Sequence, residues 1–208
     1  MAPGSGAAYV FRRVGTYWVE EQKLIPSDAG EDSSFGVDVA TDGNTIIVTA
    51  LYAPVGVFPS IYNWAGAAYV FRWNGTSWVE RQRLVASDPG QGELFGWAVA
   101  MDGNVAAIGQ VGAFFAGGNP QGAVYVFRWN GTSWIQEQKF TGSDATPNAG
   151  FGNKVALDGN VLAVGAPLMD AAYVFRWNGA SWVEEQKFLG SNGGNGDNFG
   201  SSVAVSGS

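Results

Sequence analysis

The sequence predicts an all-β fold of four-stranded antiparallel units in tandem, and three observations carry the prediction. First, two phrases recur in step. GAAYVFRRVGTYWVE (6–20) returns as GAAYVFRWNGTSWVE (66–80), GAVYVFRWNGTSWIQ (122–136) and AAYVFRWNGASWVE (171–184). FGVDVATDGN (35–44) returns as FGWAVAMDGN (95–104), FGNKVALDGN (151–160) and FGSSVAVSGS (199–208). Second, each phrase is a run of β-branched and aromatic residues around a Gly-bearing turn, the composition of a hairpin. Third, no segment shows a helical apolar period of useful length.

The elements follow in order from the repeat frame. Tyr9, Tyr69, Tyr125 and Tyr173 are spaced by 60, 56 and 48 residues, and Phe35, Phe95, Phe151 and Phe199 by the same three intervals. The connection from Tyr to the following Phe is therefore constant, and every length difference falls between the DGN turn and the next YVF. In YVFRWNGTSWVERQRL (69–84), strict alternation places Tyr69, Phe71, Trp73, Trp78 and Leu84 on one face and Val70, Arg72, Val79 and Arg83 on the other. FGWAVAMDGNVAAIG (95–109) reads as two short strands about Asp102-Gly103. Each unit thus holds four short strands, two tight hairpins, one constant loop and one variable loop. Tandem four-stranded units of about fifty residues are the pattern of β-propeller blades.

Composition bounds what such a scaffold can do. The chain has 208 residues, 46% of them hydrophobic, enough for a sizeable core. A net charge of −7 opposes binding to nucleic acid, which needs a basic surface. There is no Cys and no His, which removes thiolate chemistry, disulfides, the commonest general base and most transition-metal sites. The N-terminal MAPGSGAAYV lacks the regions of a signal peptide. Residues 43–71 carry no charge, but Pro54, Gly56, Pro59 and Asn63 interrupt them, so no membrane span is expected.

The pattern FGxxVAxDGNxLAVGAP, complete in 151–167 and followed by AAYVF, resembles the FG-GAP repeat of integrin α-subunit propellers and their bacterial relatives. In the second copy the GAP element has drifted to Ile108-Gly109-Gln110, and in the first to Val48-Thr49-Ala50. The resemblance implies that FG marks strand 1 of a blade, GAP strand 2, YVFRW strand 3 and SWVEEQK strand 4. Residues 1–28 then hold strands 3 and 4 of a first blade. Full blades occupy 35–87, 95–143 and 151–190, and 199–208 supply strand 1 of a further one. That makes 15 strands in about four blade equivalents, an incomplete ring or part of a larger propeller. Further repeats or a second chain would complete it.

The resemblance also implies a noncatalytic binding or adhesion module at the cell surface or outside the cell. A lectin-like carbohydrate binder and the propeller portion of a larger secreted enzyme are the alternatives. No nucleophile–base constellation is visible, so no catalytic residue is assigned. Integrin-type blades hold calcium between strands 1 and 2. Here those turns, ATDGN, AMDGN, ALDGN and AVSGS, carry at most one carboxylate each, against the six to eight oxygens that calcium takes. No cofactor is therefore expected, and Asp42, Asp102 and Asp158 read as turn residues. The strand 4 to strand 1 loops are more acidic, with Asp28, Glu31, Asp32, Asp88, Glu93, Asn192 and Asp197, but without common spacing.

Binding is expected where the pattern breaks. Seven of the nine Trp residues occupy repeat positions and read as packing between sheets. Trp64 and Trp97 do not. Trp64 lies with Tyr52, Phe58 and Tyr62 in the variable loop 49–65, and the next variable loop, 110–121, holds Phe114, Phe115 and Asn119. These seven loop residues and Trp97 are the eight candidate ligand contacts, and the loops emerge from one face of the scaffold. The Asn74-Gly75-Thr76 and Asn130-Gly131-Thr132 triplets fit a glycosylation acceptor but read as turns. Arg12, Arg72, Arg128 and Arg176 are expected to pair with Glu20, Glu80 and Glu184 across hairpins or between blades.

Overall fold

The computed structural model describes residues 4–28, 30, 32–57, 59–112, 121–147, 149–191 and 196–207. Strands β1 (Ala8–Val14) and β2 (Tyr17–Leu24) form a two-stranded hairpin. Next come β3 (Phe35–Asp42), β4 (Thr45–Ala50), the short β5 (Val55–Val57) and β6 (Ser60–Tyr62), β7 (Ala67–Trp73) and β8 (Trp78–Leu84). The third unit is β9 (Phe95–Asp102), β10 (Val105–Gln110), β11 (Ala123–Trp129) and β12 (Trp134–Phe140). The fourth is β13 (Lys154–Asp158), β14 (Val161–Ala166), β15 (Ala171–Trp177) and β16 (Trp182–Leu189). The sheets run β3-β4-β7-β8, β9-β10-β11-β12 and β13-β14-β15-β16, every neighbour antiparallel. This is a partial β-propeller, with β3, β9 and β13 lying side by side at its inner edge.

Two differences from the expected 15 strands have local causes. The loop after β4 folds back as its own hairpin, β5–β6, adding two strands. Residues 199–207 form no strand, because no described segment offers them a second-strand partner. They still occupy the strand 1 position. A Cβ on Gly165 would lie 1.9 Å from the Gly200 carbonyl oxygen, as one on Gly109 would lie 2.0 Å from that of Gly152.

The hairpin faces need a correction. A bulge in each β7–β8-type pair, between Val70 and Phe71, leaves Arg81 without a cross-strand partner and shifts everything beyond it by one residue. Arg83 therefore sits opposite Tyr69 and Leu84 opposite Ala68, so these two exchange the faces that strict alternation assigns them. The same shift re-pairs the arginines. Arg12 meets Glu21 and Arg176 meets Glu185 at 3.0 Å, each one residue past the expected glutamate, and Arg128 meets Glu137 at 2.7 Å, one residue past Gln136. Arg72 would meet Arg81 at that position. Glu80 and Glu184 instead accept hydrogen bonds from Ser27 and Ser143 of the preceding unit.

The core consists of three layers between blades. In each, the Tyr-Phe-Trp face of one unit packs on the Val-Ala face of the one before. The FG phenylalanine meets both aromatic rings of its own third strand edge-on: Phe95 lies 5.3 Å from Tyr125 and 6.1 Å from Phe127, and Phe151 repeats this with Tyr173 and Phe175. Trp78, Trp134 and Trp182 are buried in these layers, as their repeat positions imply. Arg12, Arg72 and Arg128 stack over Trp73, Trp129 and Trp177 of the following blade at 5.1, 4.8 and 4.7 Å.

A polar clasp accompanies each layer. Gln82 Nε2 donates to the Trp134 carbonyl at 2.7 Å while its Oε1 accepts from the Trp134 N–H at 2.8 Å. Gln22 with Trp78 and Gln138 with Trp182 repeat this. Gln82→Ala leaves both backbone groups of Trp134 half-buried and unmade, so it is expected to cost about 1–3 kcal/mol in urea unfolding. Gln82→Glu should recover only the acceptor half.

Candidate functional site

Antiparallel order brings the strand 2 to strand 3 loops and the strand 4 to strand 1 loops out on one face. There the second unit lies against the third. The Gly92, Leu94 and Phe95 N–H groups donate to the carbonyls of Asn63, Trp64 and Ala65 at 3.0, 3.2 and 2.8 Å. The Asn63 N–H donates to Gln91 Oε1 at 3.0 Å. The variable loop is thus zipped along the constant loop of the next blade, which fixes the direction in which its aromatics project.

Four of the eight candidate contacts lie within the described residues, and three of these come together. Leu51, Leu94 and Val111 form a small buried cluster, with Tyr52 and Trp97 packed against it. The Trp64 ring lies 6.0 Å from that of Tyr52 and is 48% exposed. Trp64 also holds an unusual backbone angle, φ 55°. Gly4, its counterpart in the first copy, has φ 68°, which costs glycine nothing but a side-chain-bearing residue about 1–2 kcal/mol. Leu94 at φ 58° is different, since Ser34, Gly150 and Asn198 share its angle at that repeat position. Tyr62 lies on β6, 39% exposed and paired with Val55. Phe58, Phe114, Phe115 and Asn119 lie outside the described residues.

The carboxylates of the constant loops are engaged between blades. Asp88 accepts from the Tyr125 hydroxyl at 3.0 Å and from Lys139 Nζ at 2.6 Å. Asp144 repeats the arrangement with Tyr173 and Lys187, and Asp28 pairs with Arg83 at 3.2 Å. Burial pushes the Asp88 carboxyl up, but the Lys139 and Tyr125 hydrogen bonds outweigh it and hold the group below the ordinary carboxylate range. The Lys187 and Tyr173 hydrogen bonds do the same for Asp144. Burial raises the phenols of Tyr69, Tyr125 and Tyr173 in turn. These groups are latches, neutral phenol against ionised carboxylate.

Asp102, in a strand 1 to strand 2 turn, accepts from the Gly159 N–H of the next blade at 2.6 Å. Asn74 Oδ1 accepts from Thr76 N, Thr76 Oγ1 and Ser77 N, each at 2.9 Å, and Asn130 does the same, so both close their own turns. Among the described residues no three carboxylates gather where they could share a metal ion. Glu31 and Asn192 lie outside them. No described helix is long and apolar enough to cross a membrane.

One pair of polar residues that the repeat pattern does not require was missed by sequence reasoning. Gln110 and Glu93 meet in the third unit, where the drifted GAP element was the available signal. No curated protein matches the chain significantly. The profile of the FG-GAP repeat matches it four times, over residues 18–71, 78–127, 134–175 and 182–208, the first three running from a fourth strand to the third strand of the next blade and the last from β16 to the strand 1 position after it. These matches cover most of the chain, which belongs to the FG-GAP repeat family.

Proposed function

We propose that this propeller is a noncatalytic binding or adhesion module, working outside the cell or at its surface. Its partner, a protein or a glycan, docks on the face bearing the variable loops. The observation that carries this reading is Trp64: a large ring, half exposed, held at a left-handed backbone angle above Tyr52 and the Leu51–Leu94–Val111 cluster. Strain retained at an exposed aromatic on a rigid scaffold is the pattern of a binding position. The noncatalytic part rests on the absence of His and Cys from the sequence and on the engagement of Asp28, Asp88 and Asp144 in latches between blades. Work without a resident metal is supported by the strand 1 to strand 2 turns, which carry at most one carboxylate each.

A further FG-GAP blade, from the same or a second chain, is the partner that suits the first unit. Its Tyr9, Phe11 and Trp18, in the aromatic row buried in later copies, are 51%, 52% and 68% exposed.

Trp64→Gly tests the loop surface. Glycine suits φ 55°, so stability is expected to stay within about 1 kcal/mol of the parent. Binding to arrays of extracellular-matrix proteins and of glycans is expected to fall at least tenfold. Signal on the protein array alone or the glycan array alone decides between the two partner classes, and unchanged binding of the variant would overturn the assignment.

A further inference from the structure

Arg12, Arg128 and Arg176 each hold a glutamate of the neighbouring fourth strand, Glu21, Glu137 and Glu185. For Arg128 the hold is bidentate: Nε donates to Glu137 Oε1 at 2.7 Å and Nη2 to Oε2 at 3.0 Å. The second unit breaks this rule, because Arg81 stands where the other three copies carry glutamate. Arg72 is held in place all the same, its guanidinium stacked 4.8 Å from the centre of the Trp129 ring. Stacking uses the flat face of the group and leaves the N–H donors at its rim. Among the described residues no carboxylate lies within ion-pair distance of Arg72 or Arg81, and no acceptor takes the Arg72 donors. Glu80 is turned to Ser27. Asp42 lines an adjoining cavity with Arg72 but forms no ion pair with it.

Arg72, half-buried, and Arg81, exposed, line one surface cleft of about 360 Å³ with Trp73, Trp129 and Thr132. The volume lies in the range of small-ligand sites. Two like charges on paired strands repel, so the arrangement is unfavourable as it stands. An oxyanion between them reverses that sign, taking the place of the carboxylate that the other copies supply. The shape of the pair selects the anion. The Arg72 fork fits two oxygens of a carboxylate, sulfate or phosphate group. Arg81 then faces a third oxygen, which a carboxylate lacks and a tetrahedral ester provides.

We propose that Arg72 and Arg81 bind the sulfate or phosphate ester group of a ligand, two of its oxygens on the Arg72 fork and a third on Arg81. The site lies at the end of the sheet that carries the Asn74 turn, opposite the variable loops. Failure of this site or of the Trp64 surface leaves the other standing.

The test is calorimetric titration of the full chain with glucose 6-phosphate, glucose 6-sulfate, glucuronate and glucose, with the Trp129 indole N–H followed by NMR. At least one ester is expected to bind saturably, to shift that resonance and to weaken as sodium chloride is added, with glucuronate weaker and glucose silent. Either order of the two esters supports the site and names its anion. Arg81→Glu introduces the residue type of the other copies, so it is expected to fold and to lower ester binding at least about tenfold. Arg72→Lys keeps the charge but loses the fork, and is expected to lower it at least about fivefold. Arg13→Gln removes an exposed cation of the first unit and is expected to change nothing. No saturable ester binding by the parent would overturn the proposal. So would undiminished binding by Arg81→Glu or Arg72→Lys, an equal loss in Arg13→Gln, or glucuronate binding as tightly as both esters.

Discussion

Phe95→Ala is expected to destabilise the chain by about 3–5 kcal/mol in chemical denaturation. The ring is fully buried, and it joins Tyr125 and Phe127 of its own blade to the layer holding Ile47, Ala68 and Val70 of the preceding one. Truncation removes the transfer free energy of the ring and leaves a cavity among side chains fixed by two sheets. Phe95→Leu should recover part of the loss by filling volume without the edge-on geometry. A cost below about 1 kcal/mol for Phe95→Ala would mean that the layer between blades is not the core.

Gly66→Ala is expected to cost about 2–3 kcal/mol, although the change is one methyl group. Gly66 has φ 88°, where an L-residue is strained by about 1–2 kcal/mol. Its added Cβ would lie 2.0 Å from the Phe95 carbonyl oxygen. Relieving that overlap moves the backbone that carries the 2.8 Å Phe95 N–H to Ala65 hydrogen bond, worth about 1 kcal/mol. Gly6 and Gly122 make the same close approach to Phe35 and Phe151, which explains the leading glycine of the GAAYVF phrase. The contrasting control is Gly75→Ala, whose Cβ meets nothing within 4 Å and bears only the backbone strain of φ 101°.

The blade order was legible because the sequence repeats it. Tyr125, Phe127 and Trp134 fall at fixed offsets before Phe151, as their counterparts do before Phe95, and the layers between sheets follow from that register. The bulge beside Arg81 was not legible, since a period of two carries no mark where one residue drops out. Hence Leu84 and Arg83 exchanged faces, and Arg176 found Glu185 rather than Glu184. The aromatic surface was half legible. Trp64 and Trp97 stood out by breaking the pattern, but their convergence with Tyr52 depends on the Trp64 carbonyl accepting from Leu94, a contact between loops 30 residues apart. Gln110 was visible as a departure from GAP, yet its pairing with Glu93 is set by the third dimension alone.

In the proposed division of labour, regular positions build the scaffold while departures from the repeat bind. Its most direct test is one paired measurement on the parent and Trp64→Gly: unfolding free energy in urea beside binding on matrix-protein and glycan arrays. The predicted result is stability within about 1 kcal/mol of the parent together with a loss of array binding of at least tenfold. A variant that binds like the parent, or one that loses as much stability as Phe95→Ala, would contradict it.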